Sequence, residues 1–193
     1  MFQNKIIFPL LMMVVALCAM TSCSEDDNTI EEYADWKNVN DKYFDDLTSE
    51  VKDNSGWKRV RTWSKNNEGA TANSDYILMK HIESNPDAKD EYPRYTDSVK
   101  VHYQGRLIPS PSYPKGYLFD SSYSGEFDSD IAVPVKFAVK DLVDGFTTAL
   151  MNMRRGDSYQ VYIPYQLGYG ESDYNSIPGC STLIFTIQLV DIW

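Results

Sequence analysis

Asp120 is the carboxylate whose setting most invites a chemical reading. It stands between Phe119 and the pair Ser121-Ser122, at the end of an apolar stretch. A carboxylate beside hydroxyls there caps a turn on its own account, so any further role rests on what surrounds it. Tyr169-Gly170 offers a phenol at a turn, between Ile163-Pro164 and Ile177-Pro178. Other chemistries find no support. His81 and His102 lie 21 residues apart without a cysteine or carboxylate at ligand spacing, so no metal site is predicted. There is no Gly-x-Ser-x-Gly elbow for a nucleophilic serine, and no phosphate-cradling glycine loop. Carboxylates are plentiful but scattered, which describes an acidic surface and not a glycosidase pair. Cys180 stands apart from the N-terminal cysteines and reads as a small packed hydrophobe.

The elements that must hold these residues are mostly strands. Ser98 to Leu107 alternates cleanly, with Val99, Val101 and Tyr103 on one face and Lys100, His102 and Gln104 on the other, polar, face. Asp75 to Ile82 alternates more loosely, with Tyr76 and Leu78 as strand residues. Strands are also predicted at Tyr117 to Asp120, Ile131 to Val139, Ser158 to Ile163 and Thr182 to Ile192, with a further short strand or capping segment at Trp57 to Trp63. Asn85-Pro86-Asp87 is a turn signal. Asp144 to Met153 fits a short helix with Phe146, Ala149, Leu150 and Met153 on one stripe, ended by Gly156. Upstream, Trp36, Val39, Tyr43, Phe44, Leu47 and Val51 recur at the helical period, predicting an amphipathic helix from Glu31 to about Val51 with acidic residues in its first turn. Most connections are too short for parallel crossovers. The expected fold class is therefore α+β, an antiparallel twisted sheet wrapped over a short helix, with an N-terminal helical extension.

The first residues read as an address. Lys5 precedes an apolar run from Ile6 to Ala19, the length of a signal-peptide core and short for a membrane span. Met20-Thr21-Ser22-Cys23 resembles a bacterial lipobox, which would make Cys23 the lipidated first residue of the mature chain. The acidic Ser24-Glu25-Asp26-Asp27 resembles the export tag of Bacteroidetes surface lipoproteins. The expectation is an outer-membrane lipoprotein, on the periplasmic face or the cell surface, anchored by its lipid. The predicted organisation is a signal peptide over 1–22, an acidic tether over 23–30, a helical extension over 31–74 and the main domain over 75–193. With 18 Lys and Arg against 28 Asp and Glu, the formal net charge of −10 argues against nucleic acid as a partner.

Taken in order, Val101-His102-Tyr103-Gln104-Gly105, Phe119-Asp120-Ser121-Ser122, Val143-Asp144-Gly145-Phe146, Met153-Arg154-Arg155-Gly156-Asp157, Ile163-Pro164, Tyr169-Gly170, Ile177-Pro178 and Thr182-Leu183-Ile184-Phe185 form a set. That set resembles the FKBP-type peptidyl-prolyl cis-trans isomerases. The resemblance implies proline-containing polypeptides as substrates, no cofactor, and a role in folding exported or envelope proteins. It also implies site residues. Tyr103, Asp120, Tyr169 and Ile177 would be catalytic, with Tyr169 donating its hydroxyl and Ile177 its main-chain N–H to the bound peptide. Phe119, Val135, Leu142, Val143, Phe146 and Phe185 would line the substrate pocket. Phe146 stands where the family usually has a tryptophan, and Val135 where a second aromatic wall is usual. The loops at 108–118 and 123–133 are expanded. These departures weaken the macrolide binding that the resemblance would otherwise imply. They also keep a second reading open, a non-catalytic peptide- or protein-binding lipoprotein on the same fold.

Overall fold

The computed structural model describes residues 31–193 apart from 53, 55, 66–68, 85–89 and 129–130. The apolar leader, Cys23, the acidic tether and the turn expected at 85–87 lie outside the described residues. Among the described residues seven strands make one sheet: β1 (Trp57–Arg61), β2 (Tyr76–Glu83), β3 (Ser98–Leu107), β4 (Leu118–Ser121), β5 (Val135–Ala138), β6 (Ser158–Ile163) and β7 (Leu183–Ile192). Their order is β1-β2-β6-β7-β3-β4, and every pairing is antiparallel. Strand β5 also pairs with β3. The two short strands share one edge of β3: β4 lies along Gln104 to Arg106 and β5 along Ser98 to Val101. The two ends of that edge thus hold Asp120 and Phe137.

Helices α1 (Trp36–Val51) and α2 (Asp144–Leu150) flank the sheet. Helix α2 sends Phe146, Ala149 and Leu150 into the main core, with Ile77, Met79, Val101, Val161, Ile163 and Leu183 from the strands. The approach is close. A Cβ at Gly145 would lie 2.3 Å from the Ile163 Cγ2, so only glycine lets the first turn of α2 seat on β6. Helix α1 covers the other face of the same strands, where Phe44 and Val51 bury Leu78 and Tyr162. It is fastened by polar contacts to the start of β7. The Trp36 indole donates to the Ser181 hydroxyl at 2.8 Å, and buried Asn40 accepts from the Thr182 N–H at 2.7 Å while donating to the Trp36 carbonyl at 2.8 Å. Residues 31–193 pack as one unit, so segment 31–74 shares a core with the strands after it. No helix among the described residues is long and apolar enough to cross a membrane.

Several elements differ from the sequence expectation, each for a physical reason. Helix α1 begins at Trp36, because Asp35 turns into the left-handed region at φ 50°. Glu31 and Glu32 therefore precede the helix, and Glu32 instead accepts hydrogen bonds from Ser110 and Ser112 in the proline-rich loop. Helix α2 ends at Leu150, with buried Met153 beyond it. Strand β5 starts only at Val135: Pro134 has no N–H to give a ladder, and Ile131 and Val133 remain exposed. On β2, Ile77, Leu78 and Met79 are buried in succession. Alternation misleads there because both faces are covered, the inner by α2 and the outer by α1. His102 does not face solvent. It is buried beneath Phe127, with ring centroids 5.0 Å apart, and its Nδ1 has no hydrogen-bond partner.

Candidate active site

The inner face of the sheet opens at one end into a cavity of about 240 Å³ lined by Tyr103, Asp120, Phe137, Asp141, Leu142, Val143, Phe146, Tyr169, Tyr174 and Phe185. Each wall follows from local structure. Strand alternation aims Tyr103 of β3, Phe137 of β5 and Phe185 of β7 at the same side. The turn at Val139–Asp141 then brings Leu142 and Val143 past the mouth and starts α2, whose Phe146 rises from below. Phe146 is only 4% exposed. It meets Phe185 edge to face at 4.9 Å and Tyr103 at 6.2 Å, with Phe137 at 6.4 Å. Such T-shaped contacts turn ring edges onto ring faces and favour one fixed arrangement. The result is an apolar box with Phe146 as its floor.

Gly105 is part of the same construction. A Cβ there would come within 2.6 Å of the Phe119 ring and 2.7 Å of the Phe185 ring. Glycine lets both rings lie directly on the β3 backbone, where they pack perpendicular at 5.5 Å. Phe119 thus backs the pocket wall and does not line it. Val135, likewise absent from the lining, pairs with Val101 and packs against the core.

The polar groups gather at the rim. The Tyr103 hydroxyl donates to Asp120 Oδ2 at 2.7 Å, and the Ser121 N–H donates to Oδ1 at 2.8 Å. The segment after β4 is tied back to β3 by Ser122, whose N–H donates to the Tyr103 carbonyl at 2.9 Å and whose hydroxyl accepts from the Tyr103 N–H at 2.8 Å. Asp120 is therefore held from both sides. Burial, then the hydrogen bond to Asp120 and its charge, pushes the Tyr103 phenol well above the ordinary tyrosine value. Burial, with smaller contributions from Tyr174 and Asp120, raises Tyr169 in the same direction. Both phenols are thus proton-bearing donors across neutral pH.

Tyr169 follows the turn at Tyr165–Leu167, and Tyr174 lies flat against it, ring centroids 4.2 Å apart and planes 6° apart. Tyr174 in turn forms a two-way bridge with Ile177: each N–H donates to the other's carbonyl at 2.9 Å. The Ile177 N–H, expected from the resemblance to serve a bound peptide, is here engaged by Tyr174, and the buried Ile177 side chain does not line the cavity. Sequence reasoning overlooked three lining residues. Phe137 was visible only as a strand residue alternating with Val135. Tyr174 was the sole aromatic of its polar loop. Asp141 had no signal apart from its adjacency to Leu142. The walls are hydrocarbon and aromatic edge, and the donors sit only at the rim. Such a site can bind a small ring and hydrogen-bond one flanking carbonyl. Among the described residues there is no cluster of His, Cys, Asp and Glu suited to a metal ion.

Comparison with known proteins agrees with this geometry. A sequence profile of the FKBP-type peptidyl-prolyl cis-trans isomerases matches residues 89–190, more than half of the chain. The FKBP-type peptidyl-prolyl cis-trans isomerase FkpA of Escherichia coli strain K12 is 31% identical over 136 residues, covering 70% of this chain and 44% of that protein. A probable FKBP-type peptidyl-prolyl cis-trans isomerase of Haemophilus influenzae is 38% identical over 116 residues, covering 60% of this chain and 42% of that protein. The chain thus spans about half the length of the curated relatives it matches. Among solved structures, a peptidyl-prolyl cis-trans isomerase of Pseudomonas syringae shares the fold at a TM-score of 0.56 and 24% identity, over 81% of this chain and 95% of that one. Crystalline FkpA of Escherichia coli does so at 0.58 and 22%, over 99% and 73%. An antiparallel sheet closed over a short helix, an aromatic box on its inner face and a match over residues 89–190 lead to one conclusion: the chain belongs to the FKBP-type peptidyl-prolyl cis-trans isomerase family.

Proposed function

We propose that the chain is a peptidyl-prolyl cis-trans isomerase that turns X-Pro bonds of polypeptides inside the Phe146 pocket. The observation that carries the reading is the Tyr103–Asp120 hydrogen bond at the rim of an aromatic box with no reactive group inside it. Prolyl isomerisation needs no nucleophile or metal. Its barrier of ~18–20 kcal/mol is the amide resonance itself. Twisting the C–N bond withdraws charge from the carbonyl oxygen, so a dry aromatic site favours the twisted imide over either planar form. The roles follow. The proline ring enters against Phe146, between Tyr103, Phe137 and Phe185. Tyr169 donates its hydroxyl to a carbonyl of the bound chain and holds it bent. Asp120 fixes the Tyr103 ring as a wall through its hydroxyl. Phe119 and Val135 support from behind. At about 240 Å³ the cavity is below the ~300–1,000 Å³ usual for drug-sized ligands. It suits a single five-membered ring better than a macrolide.

Lys5, the apolar run to Ala19 and Cys23 support an envelope lipoprotein whose substrates are exported polypeptides. Lipid on Cys23, read by mass spectrometry and abolished by Cys23→Ser, checks the anchor. The enzymatic reading is tested by NMR exchange between the cis and trans forms of short X-Pro peptides, with the purified chain added. Acceleration for at least some residues before proline is expected. A folded sample that accelerates none of them would leave the pocket as a peptide-binding site without turnover.

A further inference from the structure

Alternate positions lead out of the pocket along the chain before β5. Phe137 lines the cavity and Val135 is half-buried against the core, while Val133 is 77% exposed and Ile131 78% exposed. These two are the most exposed of the large hydrophobic side chains among the described residues. Single exposed aliphatics are ordinary, but two in one short segment contiguous with a binding cavity are not. The segment is anchored on both sides of them. The Ala132 N–H donates to the Asp128 carbonyl at 2.9 Å, closing a turn. The Phe127 ring lies on buried His102 at 5.0 Å and against Tyr123 at 4.9 Å. Ser122 is bonded to Tyr103, and Val135 is in the ladder with Val101. These contacts tie down both flanks of the loop, while Ile131 and Val133 stand in water.

We propose that Ile131 and Val133 form a docking ridge for the substrate polypeptide itself: an extended apolar segment, with lysine or arginine beside it, flanking the X-Pro bond held in the pocket. This rests on the isomerase reading of that pocket. Continuity argues for the occupant. The loop runs from Asp120 of β4 to Phe137 of β5, so its two ends are rim and wall of the same site. Charge argues for its chemistry. Residues 117–135 contain no lysine or arginine, they include Asp120 and Glu126, and the whole chain carries a net charge of −10. A segment with basic residues is drawn to this edge and an acidic one is repelled. Reach argues for length. At about 3.5 Å per residue, Val133 lies up to ~14 Å of chain from Phe137 and Ile131 up to ~21 Å. A tetrapeptide centred on the pocket extends only about 7 Å to either side, within those maxima, whereas an unfolded protein spans them whatever the fold of the loop. The ridge would gather long, unfolded chains in preference to short peptides.

The test compares the full-length wild-type chain with an Ile131→Ser, Val133→Ser double variant on two substrates. One is an X-Pro tetrapeptide. The other is the same core extended, on either side in turn, by eight alternating leucines and lysines. Expected for the wild type is a KM about tenfold lower for one of the extended peptides. The double variant should lose that advantage while keeping tetrapeptide turnover, and exchanging the peptide lysines for glutamates should lose it as well. An extended peptide with no lower KM, or an advantage that survives the double substitution, overturns the ridge. If the wild type turns over neither substrate, it is the isomerase reading that fails. Fluorescence anisotropy of the labelled extended peptide then decides the ridge alone: binding weakened about tenfold in the double variant upholds it, and equal binding removes it.

Discussion

At the residue scale, the site is defined by where protons stay. Tyr103 and Tyr169 are both raised above the ordinary phenol value, chiefly by burial. Each therefore still carries its proton at a pH where an exposed tyrosine, near 10, has begun to lose it. Any tyrosine-linked fall in peptide turnover should accordingly be centred above pH 10, the ordinary phenol value. A loss of kcat/KM centred near 9 would contradict the donor role of Tyr169. His102 behaves in the opposite sense. Burial lowers its pKa, so in acid the unfolded chain binds a proton that the folded chain resists. Its contribution to stability is present above the unfolded value of about 6.5 and is lost as pH falls below it. His102→Phe should flatten the fall in Tm between pH 7 and 5. An unchanged slope would mean that the imidazole is protonated in place.

At the element scale, helix α1 and the sheet are joined through Asn40. Its side chain links the Trp36 carbonyl to the Thr182 N–H in a buried setting. Asn40→Ala leaves that N–H without a partner, which costs roughly 1–3 kcal/mol. At ~2–4 °C per kcal/mol for a domain of this size, Tm should fall by about 2–12 °C while peptide turnover is retained. A Tm unchanged within error would show that water replaces the side chain. Legibility of the elements followed from which faces were covered. Strand β3 was readable from Val99, Val101 and Tyr103 because only its inner face carries the main core. On β2 the pattern Ile77-Leu78-Met79 broke alternation, because α1 and α2 cover opposite faces and no local signal announces two lids. His102 was misplaced on a polar face for a related reason: the residue that buries it, Phe127, belongs to a distant loop.

At the scale of the whole molecule, the ordered motifs carried more than any residue alone. Tyr103, Asp120, Leu142, Val143, Phe146, Tyr169 and Phe185 are drawn from three strands, two loop segments and one helix, and all line one cavity. Their separation along the chain hides that convergence from periodicity; a resemblance to a family supplies it. What the resemblance did not supply was this chain's own geometry, namely Tyr174 stacked on Tyr169, Asp141 at the mouth, and an Ile177 N–H already engaged. The polypeptide is acidic overall yet presents an aromatic pocket with hydrogen-bonding groups at its rim. The central claim is that this pocket twists X-Pro bonds, and one comparison tests it most directly: cis–trans exchange of an X-Pro tetrapeptide measured by NMR with wild type and with Tyr169→Phe at equal concentration, thermal unfolding being recorded on both. One uncharged hydrogen bond contributes ~0.5–1.5 kcal/mol, and ~1.4 kcal/mol is tenfold in rate. The account predicts exchange slowed by about three- to tenfold at nearly unchanged Tm. Equal exchange from two equally folded proteins would contradict it.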